Sequence, residues 1–178
     1  MNEEAVRARH FQPGVGHSDL ANNFALFGVS LREYNLRIGS TMKVFISHSS
    51  SDETLASKIA SYLEHAGFEV WYDEREVIPG DNPGEKIGQG LKESDAMVVL
   101  LTPNALQHYS NIRPYVDYAL TQMRFQGRLI PVLAGNSEEF RGWSIPWIFD
   151  HLPIITLKEN GTIDADLGQI ATLLKKAA

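Results

Sequence analysis

Cysteine is absent from all 178 residues. That excludes a disulfide scaffold, a thiolate metal site and a cysteine nucleophile, and it fits a reducing, cytoplasmic setting. Long apolar runs are absent too. No stretch approaches the roughly 20 residues that cross a bilayer, so no membrane span is expected. The opening Met1-Asn2-Glu3-Glu4 is acidic where a secretory signal is basic and then apolar. Basic residues are in deficit, 16 against 22 acidic ones, for a formal net charge of -6. A protein that binds nucleic acid by neutralising phosphates is therefore not expected. The six histidines show no HxxxH or HExxH spacing, so no metal site is expected.

What is present fits one folded domain: 43% hydrophobic and 21% charged residues over a single-domain length. The charge is uneven. Residues 1–41 balance four arginines against four acidic residues, so the whole net charge lies after them. They carry the breaker cluster Gln12-Pro13-Gly14-Val15-Gly16 and keep no helical or strand period. We expect residues 1–41 to be a poorly ordered extension and residues 42–178 to be the domain. Met42, at the head of the first strand, is a candidate translation start. The rival expectation is an amphipathic segment near Leu20 to Leu36 that docks on the domain.

From Met42 the pattern alternates. Val44-Phe45-Ile46 is a short apolar run ending in Ser47-His48-Ser49-Ser50-Ser51-Asp52, as in a strand buried on both faces. Leu55, Ile59, Tyr62, Leu63 and Ala66 mark one helix face. Ser50 with Glu53 predicts a capping box for that helix, and Gly67 its stop. Strands follow at Phe68–Tyr72, Ala96–Leu101, Leu129–Leu133 and Pro153–Leu157. Pro131 places the fourth near a sheet edge or strand end. Asn82 and Pro83 predict a helix start, with Gly88 and Gly90 weakening the helix. A further helix is expected to have Asn111 as cap and Pro114 in its first turn. A last one starts with Asp164 as its cap. This alternation predicts an α/β fold: a flavodoxin-like, open, doubly wound five-stranded parallel sheet with helices on both faces. Ligands in such sheets sit outside the strands' carboxyl ends.

Two loops at those ends carry chemistry. Ser47–Asp52 joins a strand to a helix start, where backbone N–H groups hold anions. It has no Walker lysine pattern and no GxGxxG, so on spacing alone a polar turn with a helix cap is the favoured reading. Asp73–Asn82 is long for its place and carries the apolar tip Val77-Ile78-Pro79 between charges. Such a tip either meets a partner or folds back on the core. A phospho-acceptor receiver is excluded, because Ser47-His48 and Thr102 stand where that site needs acids.

Lys43-Val44-Phe45-Ile46-Ser47-His48-Ser49-Ser50-Ser51-Asp52 resembles the first box of TIR (Toll/interleukin-1 receptor) domains of bacterial type. Gly67-Phe68-Glu69-Val70-Trp71-Tyr72-Asp73 with Pro79-Gly80-Asp81 resembles their second strand and BB loop, and Val98-Val99-Leu100-Leu101-Thr102-Pro103-Asn104-Ala105-Leu106 their third strand. The resemblance covers about residues 42–176. It implies a signalling domain that associates with other TIR domains through Val77, Ile78, Pro79, Gly80 and Asp81. It also implies a nucleotide cleft at Ser47, His48, Ser49, Trp71, Asp73 and Tyr115, with no cofactor required and NAD+ as substrate or ligand. The alternative it implies is an NAD+ glycohydrolase that releases nicotinamide and ADP-ribose-type products. Enzymatic members use a glutamate on the helix after the third strand, where a carboxylate stabilises an oxocarbenium-like transition state. The register through Val116 and Ala119-Leu120 puts Tyr115 at that position and Asn111 at the family's tryptophan. Asp117 is the nearest carboxylate, but it is turned about 200° from Tyr115 around a helix. A tyrosine, with an ordinary pKa of about 10, supplies no charge near pH 7.

Overall fold

The apolar runs form five parallel strands in one sheet: β1 (Lys43–Ser47), β2 (Glu69–Trp71), β3 (Ala96–Leu101), β4 (Leu129–Ala134) and β5 (Ile155–Leu157). The computed structural model describes residues 41–136, 138–157 and 163–177. What was expected of the extension before Thr41 lies outside these. Strand order is β2-β1-β3-β4-β5, with every pairing parallel. That is the flavodoxin-like order, with its switch point between β1 and β3.

Six helices complete the described part: α1 (Glu53–His65), α2 (Asp73–Glu76), α3 (Pro83–Glu93), α4 (Pro103–Gln107), α5 (Tyr109–Thr121) and α6 (Ile163–Lys176). Strand alternation sorts the core into two layers. Val44 and Ile46 point to the α1 and α6 side, among Ile59, Leu63, Ile170 and Leu174. Phe45 points the other way, among Trp71 of β2, Leu91 of α3, and Ile112 and Val116 of α5. β3 lies between β1 and β4 and is buried at all six positions, which is why its sequence does not alternate.

Several expectations are corrected. The Ser50–Glu53 capping box does not form. A 3-10 turn at Ser50–Asp52 precedes α1, neither Ser49 nor Asp52 caps it with a side chain, and Asp52 accepts a hydrogen bond from Thr102 Oγ1 at 2.7 Å. The start of the Asp73–Asn82 loop winds into the single turn α2. Two helices follow β3 where one was expected. Thr102 Oγ1 accepts from Ala105 N at 3.0 Å and Pro103 holds the first helical position, so α4 starts at once. Consequently α5 begins at Tyr109, Asn111 is inside it, and Pro114 is interior rather than in the first turn. α6 begins at Ile163, so Asp164 lies within its first turn and is not the cap. β4 is an internal strand, but β5 pairs only from Val132 onward, so Pro131 lies before that pairing begins.

Candidate functional site

Ser47, His48, Ser49, Trp71, Asp73 and Tyr115 converge outside the carboxyl ends of β1, β2 and β3. Two adjoining spaces form the cleft. The outer one, about 170 Å³, is lined by His48, Ser49, Asp73, His108, Asn111 and Tyr115, among others. The inner one narrows to about 10 Å³ between Ser47, Trp71, Asp73, Ile87 and Tyr115. A larger groove of about 380 Å³ lies elsewhere, between Leu120, Met123, Leu129 and Leu152. It sits at the amino end of β4 and has no titratable side chain in its wall. A further groove of about 330 Å³ between α1 and α6 has Lys58, His65 and Asp164 in its wall.

The cleft floor is rigid. Phe45 and Trp71 stack with ring centroids 4.6 Å apart and planes 11° apart, and Phe45 also meets the Tyr115 ring at 6.2 Å. Thr102 Oγ1 donates to Asp52, and Asn104 Nδ2 donates to Ser49 Oγ at 2.7 Å and to Ser51 Oγ. These bonds tie the loop after β1 to the one after β3.

His48 has a fully buried side chain. Its Nδ1 is 2.9 Å from the Ser49 carbonyl oxygen. A carbonyl only accepts, so Nδ1–H is the donor and the ring orientation is set. Nε2 is then 3.0 Å from Asp73 Oδ1, and with Nδ1–H committed to the carbonyl it holds that carboxylate only as the second N–H of a protonated ring. Tyr115 is half-buried and its hydroxyl is held above the ordinary tyrosine pKa of 10.0, first by burial and second by the Asp73 charge. It is a neutral donor at physiological pH. Ser47 is buried, and its Oγ meets no hydrogen-bond partner among the described residues.

Asp117 is not brought to the cleft. Its carboxylate is half-exposed and 3.3 Å from Arg113 Nε on the outer side of α5. The expected interaction loop is separate from the cleft. Ile78 is 62% exposed and Pro79 and Gly80 are exposed, while Val77 and Asp81 are partly buried. Ile78 N donates to Asp81 Oδ2 at 3.1 Å, Asp81 N donates to Ile78 O at 3.0 Å, and Gly80 has φ +102°. The turn therefore presents its apolar tip outward. Sequence reasoning missed His108 and Ile87 as lining residues. Their signal was position alone, beside the exits of β3 and β2.

A parallel sheet in this order, with a polar cleft at its switch point, defines a flavodoxin-like α/β fold. Residues 44–171 match the TIR domain family, and the chain belongs to it. It is 35% identical over 80 residues to BtTIR of Bacteroides thetaiotaomicron, a 2′ cyclic ADP-D-ribose synthase, covering 44% of this chain and 26% of that one. It is 35% identical over 75 residues to TcpA of a Theionarchaea archaeon, an NAD(+) hydrolase, covering 42% and 23%. The aligned part thus spans about a quarter of each of these two relatives. Among solved structures, the TIR domain of the Toll-related receptor TRR-2 of Hydra magnipapillata superposes with a TM-score of 0.54 at 19% identity, over 75% of this chain and 96% of that one.

Proposed function

We propose that this TIR domain is an association module with a nucleotide cleft. In this reading the loop at Val77–Asp81 docks onto other TIR domains, and the cleft takes NAD+ or a related nucleotide. The observation that carries it is the outward tip: Ile78 is 62% exposed on a turn locked by Asp81 and Gly80. An apolar side chain held out by fixed backbone bonds suits a partner surface. The outer space of about 170 Å³ is below the roughly 300–1,000 Å³ of pockets that enclose a whole ligand. A dinucleotide would therefore lie partly over the rim. We place the protein in the cytoplasm, where signalling partners and such nucleotides meet. Sedimentation velocity on the full chain tests the association. A concentration-dependent rise in mass that Ile78→Asp abolishes supports it, and a monomer at every concentration removes it.

A second reading, cleavage of NAD+ at the nicotinamide–ribose bond, is favoured by one specific observation. Tyr115 replaces the family's glutamate, yet a carboxylate, Asp73, stands in the same cleft. The names of the two relatives point the same way. Nicotinamide release from NAD+ at high protein concentration tests it.

A further inference from the structure

We propose that Asp73, rather than any residue of α5, is the catalytic carboxylate of this cleft, and that His48 positions it against C1′ of the nicotinamide ribose. The inference rests on the second reading, NAD+ cleavage.

Among the described residues, Asp73 is the one acidic side chain in the wall of either space. Other nearby acids are engaged elsewhere. Asp52 accepts from Thr102, and Asp117 pairs with Arg113 outside the cleft. Asp73 is well placed to be held still. It follows β2, whose Trp71 is stacked on Phe45, and its Oδ1 is 3.0 Å from Nε2 of a histidine with no exposed side-chain surface. The Ser49 carbonyl fixes that ring from its other nitrogen. The carboxylate itself is 44% exposed, so it also faces the open cleft.

Two further groups face the same space. Tyr115 and Asp73 line the same two spaces, and after burial the Asp73 charge helps to keep the Tyr115 hydroxyl protonated. A phenol there donates a hydrogen bond, where the family's glutamate would only accept one. Ser47 Oγ lies deeper, buried and unpartnered among the described residues. The space beside it, about 10 Å³, has room for no more than a water, which would bridge it to the outer cleft. Carboxylate and phenol together match a ribose: an acceptor for its diol and a donor to its oxygens.

The step balances without redox change. The C1′–N1 bond breaks, and its electron pair goes to the pyridinium nitrogen, which leaves as neutral nicotinamide. Asp73 stabilises the developing positive charge on the ribose. Water then bonds to C1′ and its proton passes to solvent, giving ADP-ribose. A fixed charge aimed at that centre is worth about 10²–10³ in rate.

The test follows nicotinamide release by the full chain, with NAD+ binding measured separately by calorimetry. Release by wild type is expected. Asp73→Asn should lower kcat at least about 100-fold with NAD+ affinity little changed, and Asp73→Glu should restore part of it. Asp117→Asn should leave release unchanged. His48→Gln should lower kcat more than it raises KM and shift the pH profile of kcat, which loss of folding alone would not do. Thermal melts confirm that each variant is folded. Full turnover by Asp73→Asn, or an effect confined to KM, overturns the proposal. A silent wild type with active Tyr115→Glu also overturns it, while leaving the NAD+ reading intact. Silence in both, without NAD+ binding, removes the reading beneath it as well.

Discussion

Gly90 on α3 packs flat against Trp71: a β-carbon at Gly90 would come within 2.6 Å of indole Cδ2 and 2.8 Å of Nε1. Trp71 cannot swing aside, because its other face is stacked on Phe45 and it is buried. The glycine that weakens the helix is the one that lets the cleft floor close. Gly90→Ala should therefore destabilise the fold by about 1–3 kcal/mol through overpacking. Gly88 is the control. A β-carbon there meets nothing within 4 Å, so Gly88→Ala should stabilise by about 0.5–1 kcal/mol. Urea unfolding of the two variants should shift in opposite directions, and a shared direction would contradict this packing.

Thr102 joins two loops of the cleft. Its hydroxyl donates to Asp52 Oδ2 at 2.7 Å and accepts from Ala105 N at 3.0 Å, with the residue itself buried. Thr102→Val keeps the shape and removes both bonds. We expect a loss of about 1–3 kcal/mol, from the lost cap and the stranded partners. Thr102→Ser should recover most of it. Chemical denaturation midpoints check the ranking, and a neutral Thr102→Val would show that water replaces both bonds at no cost.

The sheet was legible because its residues obey one constraint at a time. β3 needed only a run of buried side chains, and Ala96–Leu101 is that run with its observed ends. The six cleft residues expected from the resemblance line two adjoining spaces that share His48, Asp73 and Tyr115. What was illegible depends on partners far away in sequence. Asp52 was read as part of a local turn, whereas its partner Thr102 is 50 residues on. Nothing local says that Pro114 lies inside a helix, because a separate helix at Pro103–Gln107 moves the start of α5 back to Tyr109. Gly90 read as a helix weakness, since its benefit lies in Trp71, on another element. The pairing of His48 with Asp73 likewise needs the β1–β2 register, which sets their strands side by side.

Lys43 and Glu93 give the fold a pH dependence at its surface. Lys43 Nζ is 2.9 Å from Glu93 Oε2 and 3.0 Å from Glu69 Oε1, and Gln89 Nε2 donates to Glu93 Oε1 at 2.7 Å. The Gln89 hydrogen bond, and after it Lys43, hold the Glu93 carboxyl below its ordinary value of 4.5. A depressed carboxyl stabilises the fold above its unfolded value and loses that contribution as pH falls through its folded one. Glu93 is 46% exposed, so the contribution is below about 1 kcal/mol. Glu93→Gln should thus lower stability slightly at pH 7, and the gap from wild type should close as pH falls below about 4. Melting curves at several pH values measure it. A gap that widens in acid would mean that the pair is not the cause.

The loop tip is separable from the fold that carries it. Ile78 is 62% exposed, so replacing it with aspartate removes little packing and should change stability by less than about 0.5 kcal/mol. Pro79→His, at the next exposed position, should behave the same way. If the tip is a contact surface, both variants should weaken self-association at least about tenfold, since a desolvated charge in an apolar contact costs well over 1.4 kcal/mol. Gly80→Ala acts differently. Gly80 has φ +102°, a backbone angle that suits glycine and strains alanine. That variant should disturb the turn, and with it association, without changing the chemistry of the tip. Sedimentation velocity beside thermal melts reads both effects. Unchanged association in all three variants, with melts intact, would place the TIR–TIR contact on another face of the domain.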